Sequence, residues 1–533
     1  MNQKFSYTKI KFTLFFVLTA LLVYGLSNNY NSIDFDIWAR LIQGKHVIQT
    51  GSVMYNDLVS YVPTHTWYDP EWLSSVVLYL IINKFGLISL TVTKFILIFL
   101  IFCTILYAAS YINKRTIESL SIEYFFITAF ALFFSGSMGL LLRCQYFSYL
   151  ILPIWLYLLE KLNDNYESEN SKIYMYIIPL VMLFWLNTHG ACIAGAGIII
   201  LYIIGRIINK KPIKKYLCVL FFMFLMFFIN PWGHQYIKFL VNSCFVNRGW
   251  IIEWQPTATG EFINIKFLIC YLVITMLLYI LKLFINKFKN INFSKLFIIL
   301  ITYYLAWVHF KHVPLYVICS SIYMYNDISS LVLKAKIKFK KKINLNKIYR
   351  KYICILKDIT VLFTIFGIVL YYIISAPTIK NSLLDSDKLT YPHNLVEFIR
   401  LNNIKGNMFL PYFYGSYMAY KTYPNIKIFM DGRQEQVYDY DIFDREMYFM
   451  YGMYDEKGSI TEEYIPDMYF VDEDWEYKFY VENHPDYTPI YKDERYSLYI
   501  KKELAKNKYK NIEYKQNIDR DKVFETNIDF RKK

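Results

Sequence analysis

The sequence predicts an α-helical membrane protein of many spans that carries a small α/β domain at its C-terminal end. Three observations predict it. Of 533 residues, 56% are hydrophobic and only 19% are charged, against about 45–50% and about 25% in ordinary soluble domains. The excess gathers in runs of the length lipid demands, roughly 20 residues for about 30 Å of hydrocarbon. The charge is also divided: before Pro377 there are 35 basic and 15 acidic residues, and from Pro377 onward 23 and 28. The net charge of +15 therefore belongs to the apolar part and not to a nucleic-acid-binding face. An ordinary soluble enzyme and a nucleic-acid partner are both set aside on these grounds.

Eleven spans are expected, near 10–28, 86–112, 120–142, 146–160, 173–188, 190–208, 216–230, 264–286, 293–308, 312–333 and 357–376. The stretch 72–83 is apolar but too short to cross, and reads as a helix lying on the lipid surface. The first run has the length of a cleaved signal peptide too, but no small-x-small site follows it, so it is read as a span. Basic residues set the orientation. Lys4, Lys9 and Lys11 place the N-terminus in the cytoplasm, and Lys114 and Arg115, then Arg206 to Lys215, then Lys282 to Lys295, and finally 334–351, fall on the same side. The opposite loops hold few: only Arg40 and Lys45 in 28–71, only Lys238 and Arg248 in 231–262. An odd number of spans then puts the last domain outside a plasma membrane.

The expected organisation is a transmembrane domain over 1–376 with outer loops 28–85 and 231–262, an extracytoplasmic α/β domain over 377–502, and a charged, flexible tail over 503–533. Within the α/β domain, strands are expected at 427–430, 468–471 and 497–500, with a helix at 394–401. The eight cysteines, at 103, 144, 192, 218, 244, 270, 319 and 354, show no C-x-x-C spacing. They read as small apolar fillers and not as disulfides or zinc ligands.

In this topology the unusual polar residues at span ends all fall on the outer side. Asp34-Phe35-Asp36 follows the first span, then come Trp38, Arg40, Gly44 and Asp57, and the block Trp67-Tyr68-Asp69-Pro70-Glu71-Trp72. Carboxylates at i and i+2 can approach one divalent cation or one reacting hydroxyl; a solvated acidic loop gives the same pattern. Arg143-Cys144-Gln145 ends one span, and Asn187-Thr188-His189-Gly190 joins two more. Arg143 is suited to a lipid-linked phosphate through its planar fork, with His189 on the same headgroup, or it snorkels and His189 caps a helix. Asn230-Pro231-Trp232-Gly233 opens a loop with Arg248 and Glu253-Trp254-Gln255-Pro256, and His309-Phe310-Lys311-His312 makes a turn with up to three cationic groups. In the loop, Glu253 supplies another carboxylate or Glu-Trp-Gln-Pro is only an interfacial turn; the 309–312 turn binds phosphate or merely terminates two helices. Asp431-Gly432-Arg433, after an apolar strand, is first a turn signal. There is no P-loop, dinucleotide fingerprint or H-E-x-x-H.

In their order, the D-x-D after the first span, G-x-x-[IV]-x-x-x-G at Gly44 to Gly51, W-Y-D-P-E-W-L, R-x-Q, N-x-H-G, N-P-x-G, E-W-Q-P and D-G-R resemble a large group of bacterial polytopic proteins similar to the GT-C glycosyltransferases, the dolichyl-phosphate-mannose mannosyltransferase-like superfamily. The resemblance covers about Asn28 to Lys502. It implies inverting transfer of a sugar from a polyprenyl-phosphate donor to an extracytoplasmic glycan, lipid or protein, with a first-loop Asp as general base. Asp36 matches that position and Asp34 is the second acid; Asp69 and Glu71 match the downstream acidic block. Arg143, Gln145, His189, Arg248, Glu253, His309, Lys311 and His312 then become substrate-binding candidates. No cofactor is required, and a divalent cation, Mg or Mn, stays open with Asp34 and Asp36 as its ligands. The chain departs from the pattern where Cys144 replaces a usual Pro, and where Ile37 and Ala39 flank Trp38. A non-catalytic scaffold or glycan-binding protein of a cell-surface assembly, and a transporter or polymerase of lipid-linked glycan, remain competing readings.

Overall fold

Backbone N–H and C=O groups find no partner in hydrocarbon, so long apolar runs satisfy them internally as helices. The structure, a computed structural model, describes residues 34–86, 88–135, 142–246, 248–259, 265–342, 391–453, 458–508 and 525–531, with the single positions 13, 17 and 367. Apart from those single positions, the expected spans 10–28 and 357–376 lie outside the described residues. Two helices come first, α1 (Asp36–Thr50) and α2 (Trp72–Phe85). Then follow α3 (Ile88–Ile112), α4 (Ile122–Phe134), α5 (Gln145–Asp164), α6 (Ser171–Thr188), α7 (Cys192–Ile208), α8 (Lys214–Met226), α9 (Gln235–Ser243), α10 (Ile265–Ile285), α11 (Phe293–Val308), α12 (Val313–Tyr323) and α13 (Tyr325–Lys342). The C-terminal part runs α14 (His393–Leu401), β1 (Gly406–Phe409), α15 (Tyr412–Thr422), β2 (Ile426–Ile428), α16 (Tyr440–Met450), β3 (Met468–Asp472), β4 (Tyr487–Lys492) and β5 (Tyr496–Lys501). The chain divides into two compact units, one of Met1–Asn31 with Thr91–Ile379, the other of Ser32–Leu90 with Lys380–Lys533.

The first unit is helical and belongs in a membrane. Among the described residues, Ser89–Ile112, Ser171–Thr188 and Ile265–Ile285 are long and apolar enough to cross one. Their outward faces are as apolar as their inward ones. On α6, Ile173, Tyr176, Leu180 and Phe184 are exposed at helical spacing, and so are Ile274, Leu277, Leu281 and Phe284 on α10. Such stripes are costly in water and natural in lipid. Helices α4 and α11 begin where Ser121 and Asn292 accept the backbone N–H groups of Tyr124 and Lys295, which are otherwise unpaired at a helix start.

The run expected as one span at 312–333 is two helices, α12 and α13, broken at Met324. Asn113, just past the end of α3, inserts at the break. Its Nδ2 donates to the Ile322 carbonyl, and its Oδ1 accepts the Asn326 N–H. A side chain that satisfies both sides of an interrupted ladder removes the cost of interrupting it.

In the second unit, β1 lies parallel to β2 and β3, and β5 lies antiparallel to β3 and β4, giving the order β2-β1-β3-β5-β4. The free edge of β2 is covered by residues from the N-terminal segment. Tyr61 N–H donates to the Ile428 carbonyl and Ile428 N–H to the Val59 carbonyl, so the exposed backbone groups of an edge strand are paired. Helix α1 crosses α2 at Gly44, where an added Cβ would meet the Ser75 carbonyl at 2.3 Å; only glycine allows that approach. Trp38, fully buried, donates from Nε1 to the Tyr391 hydroxyl and packs on Tyr417 and Tyr420 of α15 and its end. Residues 525–531 also pack here: Lys421 donates to the Glu525 carbonyl, Ile528 is buried, and Phe530 N–H donates to Gln49 of α1.

Candidate functional site

The predicted acids have unlike surroundings. Asp34 is buried, and its Oδ1 accepts the Asp36 N–H at 2.8 Å, pairing an amide at the start of α1. Asp36 is exposed in the first turn of α1, at the positive end of the helix dipole. Asp69 is fully buried and ion-paired with Arg40, which also reaches Glu71 at 3.3 Å. Burial pushes the Asp69 carboxyl above its ordinary range while the Arg40 charge pulls it back. Asp69 and Glu71 therefore anchor a helix to a loop through Arg40.

Beside Asp36 stands the Asp431-Gly432-Arg433 turn. A Cβ added at Gly432 would lie 2.8 Å from Asp36 Oδ1, so the absence of a side chain there lets the turn approach the carboxylate. Arg433 is buried and holds two carboxylates, with Nε 2.8 Å from Asp431 Oδ1 and Nη2 2.6 Å from Asp57 Oδ1. Burial alone would lower its pKa, and the charges of Asp431 and Asp57 outweigh that and raise it. Asp431 accepts from Ser416 as well, and the Arg433 guanidinium lies 4.8 Å from the Trp67 ring centroid, with that of Arg40 at 5.4 Å from the same ring. Read from the sequence, D-G-R is first a turn, and Arg40, Asp57 and Arg433 are named there without a role. Their signal was a set of charges inside apolar surroundings, readable only as pairs.

The cationic candidates collect in the first unit. Arg143, just before α5, sits 2.5 Å from Glu253, and Lys311 approaches the other Glu253 oxygen at 3.7 Å. Burial would raise the Glu253 carboxyl, but Arg143 and Lys311 together hold it below the ordinary range. Arg248 lies 4.3 Å and Lys311 5.1 Å from the Trp254 ring centroid. His309 donates from Nδ1 to the Trp254 carbonyl, and His312 packs 5.6 Å from both the His309 and Trp254 rings. The loop and the turn are tied by backbone bonds, Thr257 N–H to the Trp307 carbonyl and Phe310 N–H to the Gln255 carbonyl. The structure thus brings Arg143, Arg248, Glu253, His309, Lys311 and His312 together.

His189 and Gln145 lie near the facing ends of α6 and α5. The Ala191 N–H donates to His189 Nδ1, so in the neutral ring Nε2 carries the proton; Ser148, one turn beyond Gln145, bonds the same Nδ1 at 2.8 Å and is held by Trp185. Asn187 donates to the Ile229 carbonyl, and Asn230 closes the N-P-x-G turn on the Phe227 and Gly233 carbonyls. These two asparagines shape the backbone. Among the described residues, no group of three or more His, Cys, Asp or Glu is placed to hold a metal ion.

The chain matches no protein-family model and no curated protein sequence. It does resemble solved structures. The oligosaccharyltransferase of Archaeoglobus fulgidus in its apo form superposes at a TM-score of 0.56 with 12% identity, over 87% of this chain and 69% of that one. The same enzyme, AglB, in complex with an inhibitory peptide and a dolichol-phosphate, superposes at 0.53 with 11% identity over the same shares. A looser likeness, at 0.49, is to ArnT from Cupriavidus metallidurans bound to undecaprenyl phosphate, with 11% identity over 92% of this chain and 97% of that one. The chain therefore has a GT-C-like fold: a polytopic helical membrane protein with a small C-terminal α/β part.

Proposed function

We propose that this protein is a membrane glycosyltransferase that moves a sugar from a polyprenyl-phosphate-linked donor to an extracytoplasmic glycan, lipid or protein with inversion, and that Asp36 is its general base. The observation that carries the reading is the contrast among its acids. Of the four first-loop acids taken as site candidates, Asp34 and Asp69 are buried and Glu71 is half-buried, while Asp36 is exposed beside a glycine turn. A base must reach the proton it takes, and the exposure of the Asp36 carboxylate supports that role. Taken by itself, the first unit supports a lipid-phosphate ligand, because Arg143, Arg248 and Lys311 gather there as cations of the kind that bind a phosphate. The AglB complex with dolichol-phosphate gives a precedent for such a lipid on this fold. Among the described residues no group of three or more His, Cys, Asp or Glu includes Asp34 and Asp36, and the reading takes no step through a metal.

The test is transfer of labelled sugar from lipid to acceptor by purified protein. Asp36→Asn should lower turnover by about 10² to 10⁴-fold with donor binding kept. Turnover at the wild-type rate would end the assignment and favour a scaffold or a transporter of lipid-linked glycan.

A further inference from the structure

Glu253 occupies the place an anionic ligand would take. It is the carboxylate that Arg143 and Lys311 share, and the three side chains are each 22 to 30% exposed, so the cluster is half-buried. One carboxylate oxygen meets Arg143 at hydrogen-bond distance, while the other is 3.7 Å from Lys311, an ion pair without hydrogen-bond contact. The backbone beneath is fixed. Glu253 lies in the single helical turn Ile252–Trp254, and the residues after it are bonded to the turn at 307–310. The cations are fixed too, since Arg248 donates to the Ser243 carbonyl and both Arg248 and Lys311 lie against Trp254. What can move with little disturbance is the Glu253 side chain.

We propose that Glu253 is a built-in counter-anion that is exchanged for the monoester headgroup of a sugar-free lipid phosphate, the form a polyprenyl-phosphate donor takes once its sugar has left, so that the site closes on itself when empty and selects ligands of higher negative charge than a carboxylate. The inference rests on the phosphate-binding reading of this cluster. A phosphate monoester carries about −1.5 to −2 at neutral pH with three acceptor oxygens, where Glu253 offers one charge and two oxygens. It can engage the Arg143 fork and the Lys311 ammonium together, which the carboxylate does not do at hydrogen-bond distance. Exchange also explains why a half-buried cation cluster holds a carboxylate at all. Without one, three cations would repel each other and attract any passing anion; with one, a weak or neutral ligand gains too little to displace it.

The experiment measures binding of undecaprenyl phosphate, and of undecaprenol as the neutral probe, to the full chain in lipid nanodiscs. Glu253→Gln, which keeps size and removes charge, should bind the phosphate about tenfold more tightly and leave undecaprenol unchanged. Arg143→Ala should weaken phosphate binding by a similar factor or more. If Arg143→Ala weakens binding but Glu253→Gln leaves it equal or weaker, the exchange role is overturned and the phosphate site stands. If Arg143→Ala leaves phosphate binding unaltered, the phosphate reading falls, and the exchange role with it.

Discussion

At the scale of single residues, burial separates groups that composition treats alike. Glu446 on α16 is fully buried, and its carboxylate has little beyond the Tyr412 backbone N–H to hold a charge. Burial, with Asp431 adding to it, pushes its pKa well above the ordinary carboxylate value, so the folded state keeps the proton. The linkage then has a definite sign. Below an unfolded pKa of about 4.3 both states are protonated, and above it the unfolded chain releases a proton that the folded one retains. The native state loses stability as pH rises from there toward the folded pKa. Glu446→Gln should remove this slope, and hydrogen exchange of the α16 peptide between pH 5 and pH 8 would show slower opening in the variant at pH 8 and little difference at pH 5. Nothing local to α16 marks Glu446, because a glutamate in an amphipathic helix reads as solvent-facing until its neighbours are known. Asp34 and Asp36 show the same lesson within one motif: the D-x-D was legible, but which acid is buried and which is exposed was not.

At the scale of elements, the D-G-R turn explains why a glycine follows the strand. Gly432 lies against Asp36, and Asp431 and Arg433 tie the turn to Ser416 and to Asp57. Gly432→Ala should push the Asp36 carboxylate aside, because a Cβ at 2.8 Å is closer than real contacts allow. Sugar transfer should fall about tenfold while donor binding and thermal stability stay near wild type; normal turnover would separate the turn from the base. The helices and strands themselves were largely readable. Strands expected at 468–471 and 497–500 are β3 and β5, and the helix at 394–401 is α14. The break between α12 and α13 was not, since the asparagine that stabilises it comes from residue 113.

At the scale of the molecule, the expected orientation in the membrane rests on the basic loops and on the odd number of spans read from the sequence. In a chain with its native cysteines replaced, a membrane-impermeant thiol reagent applied to intact cells should label Glu482→Cys and leave Lys211→Cys unlabelled. Both positions are exposed. Labelling of both, or of Lys211→Cys alone, would remove the extracytoplasmic placement on which the donor and acceptor assignments depend.

The sequence by itself determined that this is a helical membrane protein with a small α/β part, because lipid and a pleated strand each impose a short-range pattern, run length in one case and alternation in the other. It also placed the acids and cations in order along the chain. Only the tertiary structure decided their tasks: Arg40 taking Asp69 and Glu71, Arg433 joining Asp431 to Asp57, Glu253 facing Arg143 and Lys311, and Asp36 staying exposed. Most of these are pairings between residues far apart in the chain, from tens to hundreds of positions. The strength of such a pairing depends on burial and distance, neither of which is written in local composition or periodicity.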